Sequence, residues 1–253
     1  MTLFDLTGRV AFISGAAGHL GQAMAEALAD AGATVLLNGR NEAKLSALAE
    51  RMTARGLKVQ ACPFNITDEM AVRTFFGQLG RLDVLVNNAY SGRAGTVDTA
   101  SSKDFAVSCE IAVTATFNCV QAALPILRKA RGASVINVAS MYGTVSPDPR
   151  LYGDSGMNNP PFYGAAKAGL LQLTRYLACH LAPDKIRVNA ISPGPFPPEK
   201  VDSDFRARLA DKVPLGRIGQ PEDLGGAVVF LASPASAYVT GINLPVDGGW
   251  TAW

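Results

Sequence analysis

A chain of 253 residues that is 48% hydrophobic and 17% charged has the apolar content for a substantial core and too little charge for a disordered, solvated polymer. Its formal net charge of +2 gives no electrostatic case for nucleic acid or an anionic membrane as partner. The only histidines are His19 and His180, and Cys62, Cys109, Cys119 and Cys179 form no CxxC pair; this disfavours a histidine-based metal site and a Ser-His-Asp hydrolase, and makes reduced thiols in a cytoplasmic protein the default.

Short β-branched or aliphatic runs alternate along the chain with longer helical patterns. Residues 9–14 read as a first strand, and 19–31 as an Ala/Leu-rich helix stopped by Gly32. A strand over 33–38, a helix over 42–54, a strand over 57–63 and a helix over 68–79 follow. Next come a strand over 82–87, a long helix over 102–129 and a strand over 133–139. The rest reads as a helix over 162–181, a strand over 185–191, a helix over 221–232 and a last strand over 243–246. The alternation, with nearly continuous apolar strands, predicts a Rossmann-like doubly wound α/β fold with a parallel sheet covered on both faces. There is no repeat, linker or composition break, so residues 1–253 read as one domain. Residues 1–10 lack the pattern of a signal peptide, and no apolar run is expected to reach membrane-spanning length.

Two segments break the rhythm. Residues 144–161 are rich in proline, glycine and asparagine; residues 193–214 are first proline-rich and then charged. Both follow strands, which places them at the carboxyl edge of the sheet, where open α/β folds bind ligands.

Immediately after the first strand comes Ser14-Gly15-Ala16-Ala17-Gly18-His19-Leu20-Gly21. Glycines at a strand-to-helix turn let the backbone approach a pyrophosphate, which the helix N-terminus holds with free N–H groups. At the end of the second strand, an acid would bond a ribose 2′-hydroxyl and an arginine would pair with a 2′-phosphate. The chain reads Leu37-Asn38-Gly39-Arg40 there, which predicts NADP(H) in preference to NAD(H). Further on, Tyr163 and Lys167 lie four residues apart and so share one face of a helix. A phenol titrates near ~10, and a neighbouring ammonium favours its ionised form, which makes such a tyrosine a candidate general acid/base.

These motifs, in this order, together with Asn87-Asn88-Ala89, Ser140, Pro193-Gly194 and Asp247-Gly248-Gly249, resemble the short-chain dehydrogenase/reductase family over essentially the full length. Gluconate 5-dehydrogenase-like and 3-oxoacyl reductase-like members are similar types. The family's glycine pattern, TGxxxGxG, is met by Ser14, Gly15 and Gly21, with His19 at the middle glycine and Gly18 beside it. The resemblance implies Tyr163 as general acid in carbonyl reduction and base in alcohol oxidation. It implies Lys167 as the group that lowers the Tyr163 pKa and holds the nicotinamide ribose, and Ser140 as a hydrogen-bond donor to the substrate oxygen. For the cofactor it implies Gly15, Gly18, His19, Leu20 and Gly21 at the phosphates, Arg40 at the 2′-phosphate, and Asn65 and Ile66 at the adenine. Asn88, Ala89, Pro193 and Gly194 complete that set, with Tyr163 and Lys167. No metal is implied, and a homotetramer formed through long helices is. The small-residue face Ala165, Ala166, Ala168 and Gly169 either permits close helix contact or packs on the sheet.

Two departures stand out. Relatives use an asparagine in the long helix to hold a relay water, and that position is Ala112 here, with Asn118 on another face. Ala89 is followed by Tyr90 where a glycine is usual. Ser140 and Tyr163 are also 23 residues apart, further than the family's usual interval. The intervening segment 147–161 carries Asp148, Arg150, Tyr152, Asp154, Asn158 and Asn159. These groups suit a polar polyol, keto-sugar or sugar acid, with Arg150 available to a carboxylate; equally, they satisfy the loop's own backbone or build a subunit contact. The leading expectation is an NADP(H)-dependent oxidoreductase of a secondary alcohol or ketone. The alternatives are a 3-oxoacyl-thioester reductase and a nucleotide-binding sensor or scaffold with little turnover.

Overall fold

The structure, a computed structural model, describes residues 3–130, 132–155 and 158–253, with the Asp154 side chain outside the description. Seven parallel strands form one sheet: β1 (Val10–Ile13), β2 (Thr34–Gly39), β3 (Val59–Pro63), β4 (Val84–Asn87), β5 (Ser134–Val138), β6 (Arg187–Pro193) and β7 (Asn243–Val246). Their order is β3-β2-β1-β4-β5-β6-β7. Each strand is where the sequence pattern predicts it, with ends shifted by a few residues at most. β4 and β5 are buried along their whole length, and this is why they read as continuous apolar runs rather than alternating ones.

The strand period of two divides the core between two helical layers. Ala11, Ile13, Val35, Leu37, Val84 and Val86 face Met24 and Leu28 of α1 (His19–Asp30), Leu45 and Leu48 of α2 (Glu42–Ala54), and Val228 and Leu231 of a late helix. Phe12, Leu36 and Leu85 point the other way. They meet Val72 and Phe76 of α3 (Glu69–Gln78) and the helices from the second half of the chain. Phe12 packs edge-on to Phe76 at 5.1 Å between ring centroids.

The long helix expected over 102–129 is in fact three pieces: α4 (Ser102–Cys109), a π-turn (Glu110–Thr114) and α5 (Ala115–Leu127). α4 starts where it does because Ser101 and Asp104 form a reciprocal capping box. The π-turn is marked by the Ala115 N–H donating to Glu110 O, and such single-turn insertions concentrate at functional sites. The expectation that no apolar run reaches membrane-spanning length needs correction: by length and composition residues 102–127 do. Here the apolar content has another cause. α5 packs through Cys119, Val120 and Ala123 against the sheet and α3.

α6 (Pro161–Leu181) begins with proline at its first position, where the missing N–H costs nothing. The segment 193–214 holds an unexpected helix, α7 (Ser203–Asp211), capped by Asp202 Oδ1 accepting from Phe205 N at 3.0 Å. Its exposed, charged sequence hides the helical period; the Asp202 cap was the available signal. α8 (Gly225–Ala232) follows a 3₁₀ turn over Pro221–Leu224, which shortens the helix expected over 221–232.

Candidate active site

The strand order reverses between β1 and β4, so their carboxyl ends diverge and open a crevice. A cavity of about 1090 Å³ occupies it. Every residue assigned from the sequence to catalysis or cofactor binding lines this one cavity. At the phosphate end stand Gly15, Gly18, His19, Leu20 and Gly21; beside β2 and β3 stand Arg40, Asn65 and Ile66. Across from them lie Asn88, Ala89, Pro193 and Gly194, and at the inner end Ser140, Tyr163 and Lys167.

The first turn is built for close approach. Gly15 has φ 66°, and a Cβ there would stand 2.9 Å from Ala89 Cα. A Cβ on Gly21 would stand 2.1 Å from Gly15 O, so the start of α1 rests directly on the turn. Ser14 Oγ accepts from the backbone N–H groups of Asn88 and Ala89, both at 3.0 Å, and Asn88 Nδ2 donates to Ser14 O at 2.9 Å. These bonds lock the β1 turn to the end of β4. Gly18 caps α1 at φ −81° and no side chain bonds the first turn, leaving its N–H groups free for an anion. His19 is the first helical residue, so the family's middle glycine is not needed for its backbone freedom here.

At the end of β2, Gly39 presents no carboxylate. Arg40 is exposed, and among the described residues it forms no ion pair. Lys44 lines the same end of the cavity. A glycine cradle, an uncapped helix N-terminus and an unpaired guanidinium fit a dinucleotide carrying a 2′-phosphate. Among the described residues no group of three or more His, Cys, Asp or Glu side chains is placed to hold a metal ion.

At the inner end, Tyr163 lines the cavity together with Ser140, which is 5% exposed just after β5. Lys167 is 3% exposed and donates from Nζ to Val138 O at 2.7 Å. Burial pushes the Lys167 pKa down to about 7. The Tyr163 pKa is raised, chiefly by burial and further by Tyr90, against the lowering from the Ser140 bond. The Tyr163 pKa thus moves opposite to the lowering expected from Lys167. The lysine lies 5.8 Å from the Tyr163 ring centroid, bonds a backbone carbonyl instead, and is itself easily neutralised.

Ala112 sits in the π-turn, 2% exposed, with no polar side-chain atom. Asn118 does not line the cavity. Sequence reasoning left out of the site two groups that do bear on it. Tyr90 lines the cavity and packs edge-on to Tyr163, with ring centroids 4.9 Å apart; Ser108 is buried behind it. The replaced glycine after Ala89 was the one available signal.

The described part of the loop over 147–161 braces α7 and Lys212 just beyond it. Asp148 accepts from Arg150 Nη2 at 2.8 Å and from Lys212 Nζ, while Arg208 Nε donates to Leu151 O at 2.8 Å. Tyr152 packs on Phe205 at 5.2 Å, and Leu151 joins Met141, Leu209 and Trp250 in a small apolar core. The Arg150 side chain is 86% exposed, pairs with Asp148 and does not line the cavity, which favours the loop's own packing over a substrate carboxylate. Asn158 Oδ1 accepts from Asn159 N at 2.8 Å, and among the described residues the buried Asn159 Oδ1 has no hydrogen-bond partner. The Asp154 side chain, Gly156 and Met157, which the sequence reading counted in this loop, lie outside the described residues.

Fold, cradle and inner triad together define a nucleotide-dependent oxidoreductase. Residues 15–251 match the family profile described as enoyl-(acyl carrier protein) reductase. The rhamnolipids biosynthesis 3-oxoacyl-[acyl-carrier-protein] reductase of Pseudomonas aeruginosa is 35% identical over 260 residues, covering 98% of each chain. The solved Pseudomonas aeruginosa RhlG/NADP active-site complex superposes with a TM-score of 0.90 at 33% identity, covering 99% of each chain. A gluconate 5-dehydrogenase from Burkholderia cenocepacia in complex with NADP and tartrate gives a TM-score of 0.89 at 31% identity, covering 99% of this chain and 98% of that one. The chain belongs to the short-chain dehydrogenase/reductase family and is an oxidoreductase.

Proposed function

We propose that the protein transfers a hydride between NADP(H) and a secondary alcohol or ketone that carries further hydroxyl groups. The observation that carries the reading is the meeting of the glycine cradle, Arg40, Ser140, Tyr163 and Lys167 in one cavity. The nicotinamide, when bound, supplies or accepts the hydride. Gly15, Gly21 and the first turn of α1 hold the phosphates, Arg40 holds the 2′-phosphate, and Asn65 and Ile66 flank the adenine. Lys167 holds the nicotinamide ribose. Ser140 donates to the substrate oxygen and stabilises the charge that develops there. Tyr163 passes the proton to that oxygen in reduction and takes it in oxidation.

The gluconate 5-dehydrogenase neighbour, solved with NADP and tartrate, supports the hydroxylated-substrate reading. A second reading, reduction of a 3-oxoacyl thioester, is favoured by the 35% identical relative. Cofactor oxidation measured over polyols, keto-sugars, sugar acids and acetoacetyl-CoA separates the two. Turnover confined to acetoacetyl-CoA overturns the hydroxylated-substrate reading.

Cofactor choice has its own test. A charge-assisted bond is worth roughly 1.5–3 kcal/mol, so Arg40→Ala lowers kcat/KM with NADPH about 10- to 100-fold and leaves NADH use unchanged. Equal efficiency of the wild type with NADH and NADPH refutes the assignment. The protein is further proposed to be a homotetramer joined through α4, α5 and α6, where Phe105, Phe117, Tyr176, Ala165 and Ala168 are exposed; light scattering at assay concentration checks it.

A further inference from the structure

Three contacts converge on Tyr90. Its ring stands edge-on to the Tyr163 ring, with centroids 4.9 Å apart and planes at 70°. The Lys167 ammonium lies 5.1 Å from its centroid, closer than to the Tyr163 ring. Its hydroxyl and Ser108 Oγ are 2.8 Å apart. Ser108 has a single proton, which it donates to Phe162 O at 3.1 Å. The Tyr90 hydroxyl is therefore the donor to Ser108. The chain of bonds runs from the loop after β4, through α4, to the carbonyl of the residue that precedes Tyr163 in the first turn of α6.

We infer that Tyr90 is a positioning residue that seats Lys167 and Tyr163, its ring holding both side chains and its hydroxyl tying them, through Ser108, to the start of α6. The ring presents its negative face to a buried cation whose only hydrogen bond among the described residues is to the Val138 carbonyl. With both side chains wedged against it, neither tyrosine nor lysine is free to take another rotamer. Ala112 contributes no polar atom nearby, so this work falls to Tyr90 and Ser108.

The inference rests on the reading in which Lys167 holds the cofactor and Tyr163 the proton, and its test separates the two. Tyr90→Phe, Tyr90→Leu, Ser108→Ala and the Tyr90→Phe/Ser108→Ala double variant are assayed for melting temperature, NADPH affinity by fluorescence, and kcat and KM with the carbonyl compound of highest turnover. Tyr90→Leu lowers kcat about 100-fold and weakens NADPH about 10-fold, with KM for the carbonyl compound within about threefold. Tyr90→Phe keeps the ring and loses about 10-fold in kcat with NADPH affinity within about threefold. Ser108→Ala breaks both bonds of the chain, so the double variant is no worse than Ser108→Ala alone. Wild-type kcat and affinity in Tyr90→Leu overturn the inference, as do multiplying losses in the double variant. If Tyr90→Leu does not fold, the Tyr90→Phe and Ser108→Ala pair decides. If the wild type binds NADPH yet reduces no compound, the reductase reading fails, and the affinities alone judge Tyr90: unchanged affinity in Tyr90→Leu overturns it, and a loss there but not in Tyr90→Phe upholds it.

Discussion

Tyr163→Phe lowers kcat by about 1000-fold or more while NADPH binds within about threefold of the wild-type affinity. The substitution removes one oxygen from a side chain whose ring is already held by Tyr90. What is lost is the proton carrier, and positioned proton transfer accounts for roughly 100- to 10,000-fold in rate. The upper part of that range applies because, among the described residues, no other titratable side chain is hydrogen-bonded to Ser140, whose hydroxyl accepts from Tyr142 N at 3.1 Å. Binding changes little, since the cradle, Arg40 and the α1 N-terminus are untouched. Single-turnover kinetics with fluorescence-measured affinity provide the check, and turnover at the wild-type rate would refute the role of Tyr163.

The second large effect is on Lys167→Met, which removes activity and at the same time stabilises the free protein. Loss of the ammonium leaves neither a ribose ligand nor a charge to favour the phenolate, and kcat falls at least about 100-fold. Stability moves the other way because the lysine is buried and its pKa is pushed from 10.5 down to about 7. Between those two values the unfolded chain binds the lysine proton and the folded protein does not, so wild-type stability rises with pH across that window. Below about 7 the folded protein carries the full penalty of a buried charge, on the order of a few kcal/mol. Above 10.5 the penalty is gone. The methionine variant therefore melts several degrees higher than wild type below about pH 7, and its advantage shrinks as pH climbs toward 10.5. A difference in melting temperature that does not vary with pH contradicts the depressed pKa.

A site that lowers its own lysine pKa behaves differently with and without anionic ligand. Phosphates brought into the cavity favour the ammonium, and the ammonium favours the Tyr163 phenolate. In the free protein the phenol is held up by burial.

Much of this was legible in the chain. The seven strands follow from short apolar runs, and the two-sided burial of β4 and β5 from their lack of alternation. The residues proposed for cofactor binding and catalysis could be named because each sits near a strand end or on one helix face, where local spacing sets position. What was hidden had at most one weak local signature. α7 is mostly exposed and charged, so its apolar period is reduced to the single pair Phe205 and Leu209. The break at Glu110–Thr114 looks like ordinary helix in composition. The charges of the long loop promised contacts to a ligand, yet Asp148 gathers Arg150 and Lys212 from two segments far apart in sequence.

By itself the sequence determined the sheet, the glycine turn, the absence of an acid beside Arg40, and the pairing of Tyr163 with Lys167, since these depend on periods of two and 3.6 residues and on the sterics of single residues. Only the tertiary structure decided the state of that pair. Packing brought Tyr90, from the loop after β4, and Ser108, from α4, against it, and burial raised one pKa and depressed the other. Desolvation is set by what surrounds a group in space, and neighbours in space are not neighbours in the chain.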